Sequence, residues 1–303
     1  MTTDAAGTTY RFELWSTTGT IVVTDPSALG SVVEIVRTGL DDVERACSRF
    51  RPDSEISGLT PGRNRLSPLL ADLVGTALDA AEASGGLVDP TVGSVVRALG
   101  YDRSIELLPP DGARVSHEHV VPGWRQVHLY GDRLELPRGV QLDLGATAKA
   151  RAADLTARRA AESVGVGVLV ELGGDIATSG PGPVEGWQLL VRDTEDDPEG
   201  RITLGPGWAV ATSSTVRRAW RRGGVRLHHI VDPRTAAPAA PVWRSATVAA
   251  PSCTEANTAS TAAVILGHDA GRWLSERGHT ARLVDQRHRV CRVGDWPQEV
   301  RAA

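Results

Sequence analysis

From Leu29 onward, Val32, Val33, Val36, Leu40, Val43 and Cys47 return every three or four positions. That repeat marks one apolar helical face and predicts an amphipathic helix over 28–49. A second helix is expected over 68–84, closed by Gly85-Gly86, since glycine accepts the left-handed conformation that ends a helix. The Ala- and Arg-rich stretch 146–164 has strong local helix propensity, and shorter helices are expected at 257–266 and 270–276. Between them lie strands. Residues 10–23 read as a pair turning at Thr17-Thr18-Gly19-Thr20, and 127–144 as a hairpin turning at Gly131-Asp132. Further strands are expected at 166–171, 187–193, 202–212, 225–231, 245–250, 281–285 and 289–293. The Pro-, Gly- and charge-rich stretch 107–123 reads as an irregular link. Runs of neighbouring strands broken by helices predict an α+β fold of mixed, largely antiparallel sheets with flanking helices, rather than a doubly wound one. No linker divides the chain. The expected organisation is a disordered N-terminus over 1–9, a single composite domain over 10–295 and a C-terminal tail over 296–303.

Composition narrows the function classes. The 303 residues are 41% apolar and 23% charged, as in ordinary globular proteins. A formal charge of -4 argues against a nucleic-acid partner, which favours a basic stripe. No apolar run reaches the ~20 residues that cross a bilayer, and Met1 to Tyr10 lacks the basic-then-apolar pattern of a secretory signal. The expectation is a cytoplasmic protein without a membrane partner. Cys47, Cys253 and Cys291 are scattered and read as buried small hydrophobes; the histidines show no ligand spacing. One detail stands out: of the 33 Lys plus Arg residues, only Lys149 is a lysine. A lysine is a compact charge with rotatable donors, and arginine does not replace it everywhere.

Several segments are poorly explained by packing. Val170-Glu171-Leu172-Gly173-Gly174-Asp175 ends an apolar strand with two glycines and a carboxylate, a turn that lets backbone amides approach phosphate oxygens or serves as a plain bulge. Asp143-Leu144-Gly145-Ala146-Thr147-Ala148-Lys149 is a strand-to-helix junction. Helix N-termini attract anions, so a lysine there opposes the dipole unless an anion such as phosphate lies between. Ala211-Thr212-Ser213-Ser214-Thr215 precedes Arg217, Arg218, Arg221 and Arg222, read as a helix N-cap followed by a solvated basic face. His228 and His229 are neighbours on a strand, so at most one faces a site. Asn257 and Thr261 lie one helical turn apart and offer oxygen donors for a hard cation.

In this order the segments resemble the ApbE family of FAD:protein FMN transferases, over about residues 10–293. The resemblance adds Cys47 to Ser57 with Asp53-Ser54-Glu55-Ile56, Ser84 to Gly93 with Asp89-Pro90-Thr91, and His229 to Thr235. It implies an ApbE-like (T-fold-like) architecture and a Mg2+-dependent transfer of FMN from FAD to a Thr or Ser hydroxyl of a client protein, with release of AMP. By resemblance, Lys149 and His229 are catalytic. Asp89, Asp143, Lys149, Gly173, Gly174, Asp175, Thr212 and His229 bind FAD, and Ala146, Asn257 and Thr261 bind the metal. A flavin-binding paralogue and an FAD pyrophosphatase giving FMN and AMP are the alternatives. Four positions depart from the family pattern: Asn257 replaces its Asp, and Ala150, Ser214 and Ala236 replace its glycines. Those replacements are expected to narrow the pocket.

Overall fold

The opening hairpin turns two residues before the expected place. Strands β2 (Thr9–Leu14) and β3 (Thr17–Val23) pair Leu14 with Thr17, so the two-residue loop is Trp15-Ser16. Both residues have positive φ, 48° and 56°, as the twist of a two-residue hairpin loop demands. Neither residue type advertises that conformation, whereas Thr17 to Thr20, which looked like the turn, extends the strand. The structure is a computed structural model and describes residues 2–3, 8–113 and 123–297. Of the segment 1–9, Thr2–Thr3 forms β1 and pairs with Tyr10 and Arg11.

After the hairpin come helix α1 (Leu29–Cys47), strand β4 (Gly62–Arg65), and helices α2 (Pro68–Ala83) and α3 (Gly93–Ala98). Next are β5 (His128–Tyr130), β6 (Arg133–Leu136), α4 (Ala148–Val164), β7 (Val168–Leu172) and β8 (Asp175–Ser179). A ribbon of β9 (Trp187–Val191) and β10 (Gly200–Leu204) follows, then β11 (Ala209–Ser214), β12 (Ala219–Arg222) and β13 (Val225–His228). The chain closes with β14 (Val231–Asp232), β15 (Ala237–Pro238), β16 (Trp243–Ala250), α5 (Cys253–Leu266), α6 (Ala270–Glu276), β17 (Thr280–Asp285) and β18 (Val290–Val293).

The main sheet has nine strands in the order β1-β2-β3-β7-β8-β11-β16-β17-β18, and every neighbouring pair is antiparallel. The mixed α+β class expected from the sequence is the observed one. One face of the sheet carries α1, α4 and α5, joined to it by Ile21, Val170, Leu172 and Ala211 and by the alanines of α4. The alternate residues Leu169, Val210 and Ala249 point to the other face and pack against Trp187, Val191, Ile202 and Leu204 of the β9–β10 ribbon.

Local expectations fail where tertiary contacts intervene. Gly205-Pro206-Gly207 splits the strand expected at 202–212 into β10 and β11, because Gly207 turns at φ 73°. The basic stretch Arg217 to Arg222 is no helix: its second half is β12, paired with β13. Its arginines are engaged, Arg218 with the Trp15 carbonyl and the Tyr101 hydroxyl, Arg222 with the Gly100 carbonyl. Helix α5 begins four residues early: the Ser252 hydroxyl caps it by accepting from the Glu255 amide, and Asp154 of α4 accepts from the Cys253 and Thr254 amides, a second cap supplied from 99 residues away in sequence. Cys291 is exposed on β18, not buried. Trp296, assigned to the tail, is buried against the β9–β10 ribbon. Part of the link at 107–123, with His117 and His119, lies outside the described residues.

Candidate functional site

The β7–β8 turn sets the floor of the site. Gly173 and Gly174 both have positive φ, 61° and 92°, and a Cβ on Gly173 would meet the Thr17 side chain at 2.5 Å. Only glycine fits there. The Gly173 amide donates to the Thr18 carbonyl, so the turn is pinned to β3. It delivers Asp175 to the first position of β8, beneath the first turn of α4, where the side chain is 1% exposed. Lys149 Nζ donates to Asp175 Oδ2 at 2.5 Å, and Asn257 Nδ2 donates to Oδ1 at 2.8 Å. The anion beside the lone lysine is therefore this carboxylate, where the junction alone had suggested a phosphate. The pairing also accounts for a cation at a helix N-terminus: a full negative charge at contact distance outweighs the partial charges of the dipole.

One of the donors at Asp175 is itself incompletely satisfied. Asn257 Oδ1 is buried without a hydrogen-bond partner, and so is His229 Nδ1. Buried polar atoms left unpaired are rare and costly. Both side chains line a single cavity of about 1610 Å³, larger than the 300–1,000 Å³ typical of small-molecule sites. Asp89, Asp143, Ala146 and Lys149 line it from the α3 and α4 side. Gly173, Gly174 and Thr212 line it from the sheet, and Thr261 joins Asn257 from α5. Asp175 is the exception, held behind Lys149 and Asn257 and reaching the cavity through them. Thr212 bonds to Thr247, and Thr261 to Ser213.

The two acidic residues beyond the lysine are brought together by the backbone. The Asp143 amide donates to the Pro90 carbonyl at 2.8 Å, and a Cβ on Gly93 would strike the Gln141 carbonyl oxygen at 2.6 Å. Close approach at Gly93 thus joins 89–93 to 141–143. Burial raises the Asp89 carboxyl above its ordinary value, against the hydrogen bonds from Thr91. Asp143 accepts from the Gly145 amide and pairs with Arg49 at 3.1 Å. Arg49 lies over the Phe50 and Tyr101 rings. Arg49 lies in the recognised segment 47–57, but sequence reasoning gave it no role, because nothing in its residue type separates it from the many other arginines; only its place opposite Asp143 does.

His229 faces the cavity, and His228 bonds to the Ala239 carbonyl, which is the one-in, one-out arrangement expected of strand neighbours. Burial, then the charges of Arg218, His228 and Lys149, push His229 well below its usual value, so its imidazole is neutral at pH 7. Cys47 also lines the cavity, but burial and the nearby Asp143 and Glu44 push its thiol up to about 12. It is not a thiolate nucleophile. Among the described residues no group of three His, Cys, Asp or Glu side chains is placed to hold a metal.

Some of the recognised segments do structural work. Glu55 bonds to the Ser67 amide and hydroxyl at the cap of α2, and Asp232 clamps Arg234 and its amide. Neither lines the cavity. Of the three substituted glycines only Ser214 does; Ala150 and Ala236 are buried in separate cores, so they do not narrow the pocket. Ala236 keeps the conformation of a glycine, φ 51°.

Comparison with known proteins places this geometry in context. The model of the ApbE family matches residues 6–284. The chain is 32% identical to the FAD:protein FMN transferase of Treponema pallidum, over 79% of this chain and 72% of that protein. It is 26% identical to the FAD:protein FMN transferase of Vibrio cholerae, over 89% of this chain and 82% of the other. Among solved structures, the ApbE protein of Thermotoga maritima superposes with a TM-score of 0.80 at 25% identity, covering 94% of this chain and 96% of that one. The apo flavinyl transferase ApbE of Pseudomonas stutzeri superposes with a TM-score of 0.79 at 22% identity, covering 94% of each.

Proposed function

Because the chain belongs to the ApbE family, we propose that it is an FAD:protein FMN transferase, moving FMN from FAD onto a Thr or Ser hydroxyl of a client protein. In this reaction the acceptor oxygen bonds to the FMN phosphorus, the bond from that phosphorus to the bridging oxygen breaks, AMP leaves with that oxygen, and the hydroxyl proton is taken up. The observation that carries the reading is the Lys149–Asp175–Asn257 cluster beneath a cavity larger than one small molecule needs.

Phosphoryl transfer asks a protein for position and charge neutralisation more than for covalent help. Lys149 is anchored by Asp175 rather than swinging freely, so its ammonium is preorganised for charge that develops on the phosphate oxygens, and it loses little freedom on doing so. The tight turn at Gly173-Gly174 lets the nucleotide approach the backbone. Asp89, Asp143 and Thr212 supply polar contacts along the FAD. His229 is neutral and lines the cavity, and its buried Nδ1 has no hydrogen-bond partner, so it is the group that accepts the acceptor's proton or orients the hydroxyl.

The residues also suit a hard cation. Asn257 Oδ1 is an orphaned buried oxygen, with the Thr261 hydroxyl on the same helix and the Ala146 backbone on the same cavity; such an all-oxygen donor set is of the kind that binds Mg2+. These three would hold the ion, which when bound would withdraw charge from the phosphates. The amide of Asn257 supplies no formal charge.

The test is the intact mass of a candidate client domain after incubation with this protein, FAD and Mg2+. A gain of one FMN is expected. FAD cleaved to FMN and AMP, with the client's mass unchanged, would instead establish a pyrophosphatase.

A further inference from the structure

The cavity extends well past Lys149, and one of its walls is the edge of a strand. Among the described residues β9 pairs only with β10, and the two form a sheet of their own. All seven residues from Trp187 to Asp193 line the cavity. Side chains alternate between the faces of a strand, so a face would contribute every second residue; an unbroken run means that the edge itself is turned toward the space. The opposite wall behaves as a face should. Away from the β2–β3 turn it contributes Arg11 and Glu13 from β2, Thr18, Thr20 and Val22 from β3, and Leu169 and Glu171 from β7, every second position; beside that turn Leu14 and Thr17 line the cavity as well.

Among the described residues no strand pairs with this edge. Natural proteins blunt free edges with charges, prolines or covering segments, because unpaired N–H and C=O groups template another strand. β9 reads Trp-Gln-Leu-Leu-Val, with no charge, proline or glycine, and Leu190 is 49% exposed. Its five residues span about 17 Å, enough to align a short extended segment. The same cavity is continuous to Lys149, Asn257 and His229.

We propose that the free edge of β9 receives an extended segment of the acceptor protein, which pairs with it backbone to backbone and so delivers its Ser or Thr hydroxyl to the Lys149 end of the cavity. Strand addition takes its affinity from main-chain hydrogen bonds and its selectivity from the alternate side chains. Here those side chains meet the polar wall of Arg11, Glu13 and Glu171. The proposal rests on the transferase reading above.

The test begins with a lysate of the source organism, incubated with the protein and FAD, to find an acceptor by flavin fluorescence on a denaturing gel. If no protein is labelled, the transferase reading fails and this proposal with it. With the acceptor purified, proline is placed singly at Gln188, Leu189 and Leu190. Amides facing β10 and amides facing the cavity alternate along the strand, so one parity breaks the ribbon and the other spares it. The variants that keep the parent melting temperature are expected to raise KM for the acceptor at least about tenfold with KM for FAD unchanged. An unchanged KM for the acceptor, or a raised KM for FAD in its place, overturns the docking while leaving the transferase intact. Hydrogen exchange on the unaltered protein provides a measurement that needs no variant. Amides of 187–191 are expected to slow in saturating acceptor, and unchanged exchange there overturns the proposal.

Discussion

Two carboxylates among the described residues, Asp175 and Asp197, have side chains almost wholly removed from water, and they differ in how completely they are satisfied. Asp197, whose side chain is 0% exposed, accepts from Arg244 on one oxygen, with His288 Nδ1 3.1 Å from that oxygen, and from the Thr194 amide and hydroxyl on the other. Burial alone would raise this carboxyl; the bonds from Arg244 and Thr194 outweigh it and hold it below its usual range. Every partner is protein, and the cluster ties the loop after β9 to β16 and to the turn between β17 and β18. Asp175 has two side-chain donors, Lys149 and Asn257, and both face a cavity. One donor carries an orphaned oxygen. A closed network rigidifies a fold, while an open one leaves capacity for something the protein does not itself supply.

The comparison breaks if the two clusters respond alike. Lys149→Ala and Arg244→Ala each strip a buried carboxylate of its cation and are expected to cost roughly 3 kcal/mol, read by urea melts. Only Lys149→Ala should also lower transfer, by about 10²–10³-fold. Folded Arg244→Ala should keep the parent kcat, and a matching loss of kcat would erase the distinction.

Asn257→Asp sharpens the contrast from the open side. It sets a second negative charge beside Asp175, so the variant should melt lower than the parent without divalent ions and regain that stability in Mg2+. Its Mg2+ affinity by calorimetry should rise about tenfold. Identical titrations of parent and variant would remove Asn257 from any metal site.

The pH dependence of His229 is a smaller effect. Its folded value lies below the 6.5 of the free side chain, so its contribution to stability is present above 6.5 and is lost as pH falls below it, when the unfolded chain takes up the proton. His229→Gln should flatten that loss in melts across the range. A transfer rate dependent on neutral His229 should stay level from about pH 8 to pH 6; a drop centred near the ordinary histidine value would show an imidazole that is not buried. The smallest expected change is Ala236→Gly, which relieves a left-handed alanine and should stabilise by about 1 kcal/mol, measured by the same melts.

The segments that carry the site were legible because their chemistry is local. A lone lysine, two glycines before a carboxylate, and a polar pair one helical turn apart are visible in one dimension. The helices too were legible, since α1 and α2 bury continuous apolar stripes. What misled the reading was local as well: Trp15-Ser16 turns without turn residues, and the arginines of 217–222 look solvated until Trp15, Gly100 and Tyr101 meet them.

By itself, then, the sequence determined the α+β class, the helix faces and the residue types of the site, because periodicity and conformational preference act over a few neighbours. Tertiary structure alone decided that Lys149 pairs with Asp175 across 26 residues, that Arg49 answers Asp143, that Asp154 adds a distant cap to α5, and that β9 turns its edge to the cavity. Each of these depends on segments distant in the chain meeting at hydrogen-bonding distance, and no local pattern encodes where a strand from elsewhere will lie.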